Sequence, residues 1–461
     1  MQTRLFASFL LACLAPVLWA LPADAVGQAG LLIRNVRVVD PDAAAASDPR
    51  DVAILGAWIV DAARLDDLAA DEYRAIDAEG RWLIPGLAEM HAHVPPMSDP
   101  QRVDDVLALF LAHGVTTVRG MLGEPGHLVL RAELADGRRF GPRLITSGPS
   151  LNGNSAPDAD AARRLVRRQA EAGYDLLKLH PGLLPDTFAA LTRAADGLDI
   201  PYAGHVSTAV GLERALAARQ STIDHLDGYA QALVPDDHPA RRAEPGFFGM
   251  ALADALDAQR IPELARATRA AGTWNVPTQT LIENIATGDP DALAERPAMR
   301  YVPAATVDQW RRQVEQLREP FDDDPLERFV EVRRSLILGL HEAGAGLLLG
   351  ADAPQIFNVP GDAAHHELEL LVAAGLTPAE ALATGTTAPA RFLDESARGC
   401  IAPGCVADLV LLDGNPLADI ANVRRIRAVV RAGHWLDRDD LDRRLEAIAR
   451  RARPDAPTAP D

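Results

Sequence analysis

The chain alternates short apolar runs with amphipathic stretches over most of its length. Near the start, LLIRNVRVVD (31–40) and DVAILGAWIVDAA (51–63) carry the β-rich pattern of strands, and the PDAAAASDPR between them reads as a loop. CVADLVLLDG (405–414) and IRAVVRAGHWL (426–436) have the same character near the other end. Strands at both ends, with everything else between, predict a small β-sandwich domain built from residues 26–84 and 396–440. The middle, 85–395, repeats a strand followed by a helix. Its strands are LAEMHAHV, VTTVR (115–119), RLITS (143–147), YDLLKL (174–179), IPYAGHV (200–206), TIDHL (222–226), TWNVPT (273–278) and GLLLGAD (346–352). Helix-like segments such as ADAARRLVRRQAEAG and LPDTFAALTRAADG lie between most of them. Eight β–α units predict an α/β chain folded as a (β/α)8 TIM barrel, with its chemistry at the C-terminal ends of the strands. Two longer insertions, 228–270 and 281–335, would cover the mouth. Residues 441–461 read as a C-terminal helix running into a disordered tail rich in Pro and Ala.

Composition narrows the class. Apolar residues make up 48% of 461, enough for a sizeable core. The 46 Lys and Arg against 65 Asp and Glu leave a formal charge of −19. That balance speaks against a nucleic-acid partner and offers no basic patch to anionic membranes. It suits a soluble protein and would draw metal cations. Residues 1–25, MQTRLFASFLLACLAPVLWALPADA, read as a signal peptide. An Arg precedes an apolar run, and Ala23-Asp24-Ala25 fits a cleavage site. The run is shorter than the ~20 residues a membrane span needs. A buried N-terminal helix is the alternative reading. Cleavage after Ala25 implies export, to a bacterial periplasm or beyond the cell. The two remaining cysteines, Cys400 and Cys405, flank a turn-rich Ile-Ala-Pro-Gly. Opposite positions on a hairpin can meet disulfide geometry, and an oxidising compartment permits the bond; two free thiols are the alternative.

Candidate chemistry gathers at the strand ends. His91 and His93 are two residues apart, so alternation along a strand turns both to one side. Imidazole is a common ligand for zinc and similar divalent metals. Lys178, His205, His225 and Asp352 each stand near the end of another predicted strand. Taken singly, each reads as a hydrogen-bonded core or rim residue. Taken together they would converge on one rim. Lys178 lies among Leu176, Leu177 and Leu179, where burial disfavours its charge. A neutral amine can add carbon dioxide and become a carbamate that bridges two metals. The alternative is a rim ion pair between Lys178 and Asp352.

The ordered set IPGLAEMHAHV, HGVTTVRG, YDLLKLH, YAGHVS, STIDHLDGY, LLLGADAP, HHELELLVAAGLTPAEALATGTTAPARFL and IAPGCVADLVLLDGNPLADI resembles the metal-dependent amidohydrolase superfamily. Within it, the chain looks most like the imidazolonepropionase-like and Xaa-Pro dipeptidase-like branch with two metals, over about residues 30–436. The resemblance implies two divalent metal ions, zinc by default. His91, His93 and Asp352 would hold one, and His205 and His225 the other. A carbamylated Lys178 would bridge them. It further implies a hydroxide between the metals as nucleophile, and Asp352 as the catalytic proton carrier. The enzyme class implied is a hydrolase of carbon–nitrogen bonds, in dipeptides or other amides. A cyclic-amide or lactone hydrolase, a deaminase of the same fold, and a metal-free binding relative are the alternatives; deaminases of this fold generally lack the bridging lysine. Relatives often carry Asp at Glu89 and at Gly120, Tyr at His180, and Lys at Cys405. Substrate contacts are expected from Tyr229, His180, Arg119, His365 and His366, with structural hydrogen bonding as the alternative for each.

Overall fold

The computed structural model describes residues 30–65 and 72–453. The predicted leader and the end of the tail lie outside these residues.

The middle of the chain closes into the expected barrel. Leu87–Ala92, Val115–Gly120 and Arg143–Thr146 form one parallel sheet. Leu177–Leu179, Tyr202–Gly204, Thr222–Asp224 and Trp274–Val276 form a second. Parallel bridges Ser147–Leu176 and Leu151–Leu179 join the two. Segment 346–353 completes the ring through bridges Asn275–Leu347 and Ala92–Ala353. Short strands suffice because helices cover the outside and bury them. Ile223, Val276, Leu348 and Leu349 are fully buried.

Local chemistry places the helices. Pro100–Ala112 starts at Asp99, whose side chain accepts the Arg102 N–H, with Pro100 supplying a preset φ at the first turn. Ala159–Ala172 is capped by Asp158 and ends at Gly173 in the left-handed region. The two insertions fold as helices and 3-10 turns, including Ile261–Ala271, Ala304–Arg318 and Asp323–Glu342.

The two chain ends pair with each other as expected. They build one nine-stranded sheet. Gly30–Asp40 runs through the whole of it. Its first half pairs with Arg50–Leu55 and Tyr73–Asp77, and its second half with Trp82–Pro85. Trp82–Pro85 then pairs with Leu409–Leu412 from the far end of the chain. Register shifts between Ile33 and Val36, so the long strand turns there and serves both halves of a single sheet. Ile33, Val36, Leu83, Leu409 and Ala428 share one core inside it. Cys400 and Cys405 are joined by a disulfide, their Cα atoms 6.0 Å apart. The predicted C-terminal helix is Arg438–Ala452, capped by Asp437. No helix among the described residues is long and apolar enough to cross a membrane.

Candidate metal centre

Five strand ends bring the six predicted ligands to one mouth of the barrel. His91 belongs to the first strand and His93 follows it; both face Asp352, in the segment that closes the ring. Asp352 Oδ1 lies 2.6 Å from His93 Nε2 and 3.4 Å from His91 Nε2. Asp352 Oδ2 lies 3.7 Å from His225 Nδ1. Lys178 Nζ is 3.4 Å from His91 Nε2. The His91 and His225 rings are 4.5 Å apart, and so are those of His205 and His225. His91, Lys178, His225 and Asp352 are buried, while the His93 side chain is 25% exposed and opens to the mouth.

The backbone turns sharply to achieve this. His225, Thr278 and Asp352 have φ of 62°, 48° and 61°. Left-handed backbone costs a non-glycine residue about 1–2 kcal/mol. Three such residues at strand ends aim side chains inward that strict alternation would turn away. Gly204 serves the same end by being small. A Cβ there would sit 2.5 Å from the Leu179 carbonyl and 2.9 Å from Lys178 Cδ.

Outer partners settle which imidazole nitrogen faces the centre. Thr278 donates its hydroxyl proton to the Pro277 carbonyl, so its oxygen accepts from His225 Nδ1 at 2.9 Å. His205 Nδ1 pairs with Asp227 Oδ2 at 2.7 Å, and His91 Nδ1 lies 2.9 Å from Asp224 Oδ2. Each histidine thus turns Nδ1 to a support and leaves Nε2 for the centre, the usual arrangement of metal-ligating imidazoles. Burial, reinforced by Lys178, holds His91 far below the usual range. Burial and His205 do the same to His225, so both rings are neutral and have a lone pair to give. Burial also lowers Lys178, against the pull of Asp224 and Asp352. Burial alone would raise Asp352, but His91, His93 and Lys178 outweigh it and keep the carboxylate ionised.

This donor set fits a divalent cation. One ligand atom each from His91, His93 and Asp352 lie within 4.8 Å of one another. Asp352 Oδ1 is buried and lies against two imidazole nitrogens at once. Two imidazole nitrogens and a carboxylate oxygen crowded on one point are what ligands ~2 Å from a shared ion look like.

Several residues in the support have no place in the strand-end pattern read from sequence. Asp224 is the chief one: fully buried, it touches His91, sits 3.7 Å from Lys178 Nζ, and accepts from Thr222 Oγ1 at 2.7 Å. The signal for it was an Asp inside the apolar run STIDHL, where an uncompensated carboxylate is costly. Asp227 and Thr278 lacked any such signal. Phe248, at φ 50°, sets its ring 4.8 Å from His225 and 6.3 Å from His205. It comes from insertion 228–270, which therefore does reach the mouth.

Of the expected substrate contacts, His180 alone is brought beside the centre. Its ring stacks on His205 at 4.8 Å, and burial with Lys178 nearby lowers it to about 3. The others are engaged elsewhere. Arg119 is fully buried beneath the site, donating to the Met90 carbonyl at 2.7 Å and Thr222 Oγ1 at 3.1 Å. Tyr229 is buried with its hydroxyl bonded to Thr268 and Asn275. His365 contacts the His113 carbonyl, and His366 pairs with Glu369. Sequence could not show this, since each residue's direction depends on partners far along the chain.

Comparison with known proteins places this architecture. The Amidohydrolase family model matches residues 82–436. Among curated proteins, an adenine deaminase of Deinococcus radiodurans is 27% identical over 401 residues, covering 84% of this chain and 60% of that protein. An adenine deaminase of Nitratidesulfovibrio vulgaris (strain DP4) is 29% identical over 240 residues, covering 50% and 39%. The chain thus spans roughly half the length of the curated relatives it matches. Among solved structures, bottromycin amidohydrolase superposes with a TM-score of 0.69 at 24% identity over 93% of this chain and 92% of that one. A Xaa-Pro dipeptidase with methionine in its active site gives 0.63 at 18%, over 88% and 100%. These structural likenesses speak to the fold. With the family model matching residues 82–436, well over half of its length, the chain belongs to the amidohydrolase family.

Proposed function

We propose that this chain is an exported hydrolase of amide or peptide C–N bonds that works with two divalent cations, zinc by default. The observation that carries this reading is the convergence of His91 Nε2, His93 Nε2 and Asp352 Oδ1 at one barrel mouth. His91, His93 and Asp352 would hold one ion, and His205 and His225 the other. Lys178 would bridge them as a carbamate. Its neutral amine adds to carbon dioxide, forming an N–C bond and releasing one proton; the buried, charge-disfavouring environment supplies that amine. When bound, such ions acidify water and polarise a carbonyl.

The chain's own residues do the rest. Asp352 Oδ2 takes the proton that water gives up on attack and passes it to the departing nitrogen, so that amide and water become acid and amine. Asp224, Asp227 and Thr278 hold the imidazoles in the required tautomer. Phe248 keeps water off the His205–His225 side. Export rests on residues 1–25, and a mature N-terminus at Val26 in the exported fraction would bear it out.

The test is a panel of dipeptides, acyl-amino acids and lactones against protein of measured metal content. Asp352→Asn should keep fold and metal while kcat falls by about 10³-fold or more. Near wild-type turnover would remove Asp352 from the proton path. Lys178→Ala should lower metal content, with partial recovery in short carboxylic acids; full occupancy without them would count against the carbamate. A second reading, deamination, is favoured by the 27% identity to an adenine deaminase over most of this chain. Release of ammonia from an amino-heterocycle, with no cleavage of any amide, would select it.

A further inference from the structure

Beside His180, whose ring stacks on His205, opens a cleft of about 540 Å³ lined by Leu122, Ser150, Asn152, Asn154 and His180. Three of its side chains, Asn152, Ser150 and His180, form one hydrogen-bonded relay. Asn152 Oδ1 accepts the backbone N–H groups of Asn154 and Ser155, both at 2.9 Å. That fixes the amide, so its Nδ2 must donate to Ser150 Oγ, at 3.2 Å. Ser150 Oγ in turn meets His180 Nδ1 at 2.5 Å. Two proton arrangements satisfy this chain. If Ser150 donates to Nδ1, His180 carries its proton on Nε2. If His180 donates from Nδ1, the Ser150 hydroxyl proton is released. Either way the pair keeps one donor for a ligand.

A free carboxylate is ordinarily held by Arg or Lys, often through two parallel bonds. Neither lines this cleft among the described residues. The buried arginines nearest the centre are already spent within the fold. Arg119 donates to Met90 O and Thr222. Arg333 donates to the carbonyls of His225 and Pro277 and to Gln279 Oε1. Across His205, Phe248 offers an aromatic face.

We propose that the Asn152–Ser150–His180 relay is a subsite for an uncharged acceptor, such as a second amide carbonyl next to the scissile bond, and that it disfavours substrates ending there in a free carboxylate. The substrate class is then a blocked or internal peptide-like amide with an apolar side chain, in place of a free dipeptide. The inference rests on the amide-hydrolase reading above.

Its test uses the metal-loaded full chain and a matched pair, leucyl-phenylalanine and leucyl-phenylalaninamide, with cleavage of the Leu–Phe bond followed by product separation. The carboxamide should be favoured by about tenfold or more in kcat/KM, the size of one well-made hydrogen bond. Equal rates, or preference for the free acid, would overturn the assignment. Ser150→Ala and Asn152→Ala should raise KM for the carboxamide and shrink the preference to about threefold or less. An unchanged preference in both folded variants also overturns it. If neither compound is cleaved, the hydrolase reading is decided by the panel above, and reduced-bond analogues of the pair decide the subsite by calorimetry on unaltered protein. Tighter binding of the carboxamide analogue by about tenfold upholds the subsite, and equal or reversed affinity removes it.

Discussion

At the scale of single residues, the centre is legible where chemistry coincides with a strand end and illegible where it depends on backbone turning. His91, His93, Lys178, His205, His225 and Asp352 could each be marked because every one closes an apolar run. Asp224 stands out only as a carboxylate inside the apolar run STIDHL; alternation sets it on the opposite face from His225, and the left-handed backbone at His225 brings both inward. Its position against His91 and Lys178 makes it a positioning residue. Asp224→Asn should weaken metal affinity by about 10–100-fold, read by competition with a chelator. An unchanged dissociation constant would leave Asp224 a purely structural role. Arg119 shows the converse limit. A cation at a strand end resembles a substrate anchor in sequence, yet its bonds to Met90 and Thr222 hold it under the barrel floor.

At the scale of elements, period and length were enough to mark the barrel strands and the helices between them. The join within the end domain was less legible, because one long strand with a register shift serves both halves. Close approaches between strands were also invisible. Gly204 at φ 119° has the Leu179 carbonyl and the Lys178 stem where a Cβ would go. Gly204→Ala should therefore cost about 2 kcal/mol of stability and displace Lys178. Thermal unfolding and metal content should fall together; a variant with normal values for both would show that the neighbouring strand yields without strain.

At the scale of the whole molecule, the chain ends are tied to the barrel by charge as well as by the shared sheet. Arg424, in the 3-10 turn Ile420–Arg424, pairs with Asp362 and Glu369 of helix Asp362–Ala373. Burial would raise Glu369, but hydrogen bonds from His366 and Arg424 outweigh it and lower it from 4.5 to about 2. A depressed carboxylate stabilises the fold above its unfolded value, and that contribution drains away as pH falls from about 4.5 towards 2. Glu369→Gln should flatten the decline of the urea midpoint in that window, removing about 1–3 kcal/mol of pH-dependent stability. Parallel declines for both proteins would place the acid sensitivity elsewhere.

The ring of strands has one seam, where the first strand meets the last through Ala92 and Ala353. His91 and His93 stand on one lip, and Asp352 on the other. The Asp352 N–H bonds to the His91 carbonyl, and the His93 N–H to that of Ala353. An ion gripped by these side chains would rivet the lips together, so loading with metal should slow amide exchange along this join more than at any other pair of neighbouring strands.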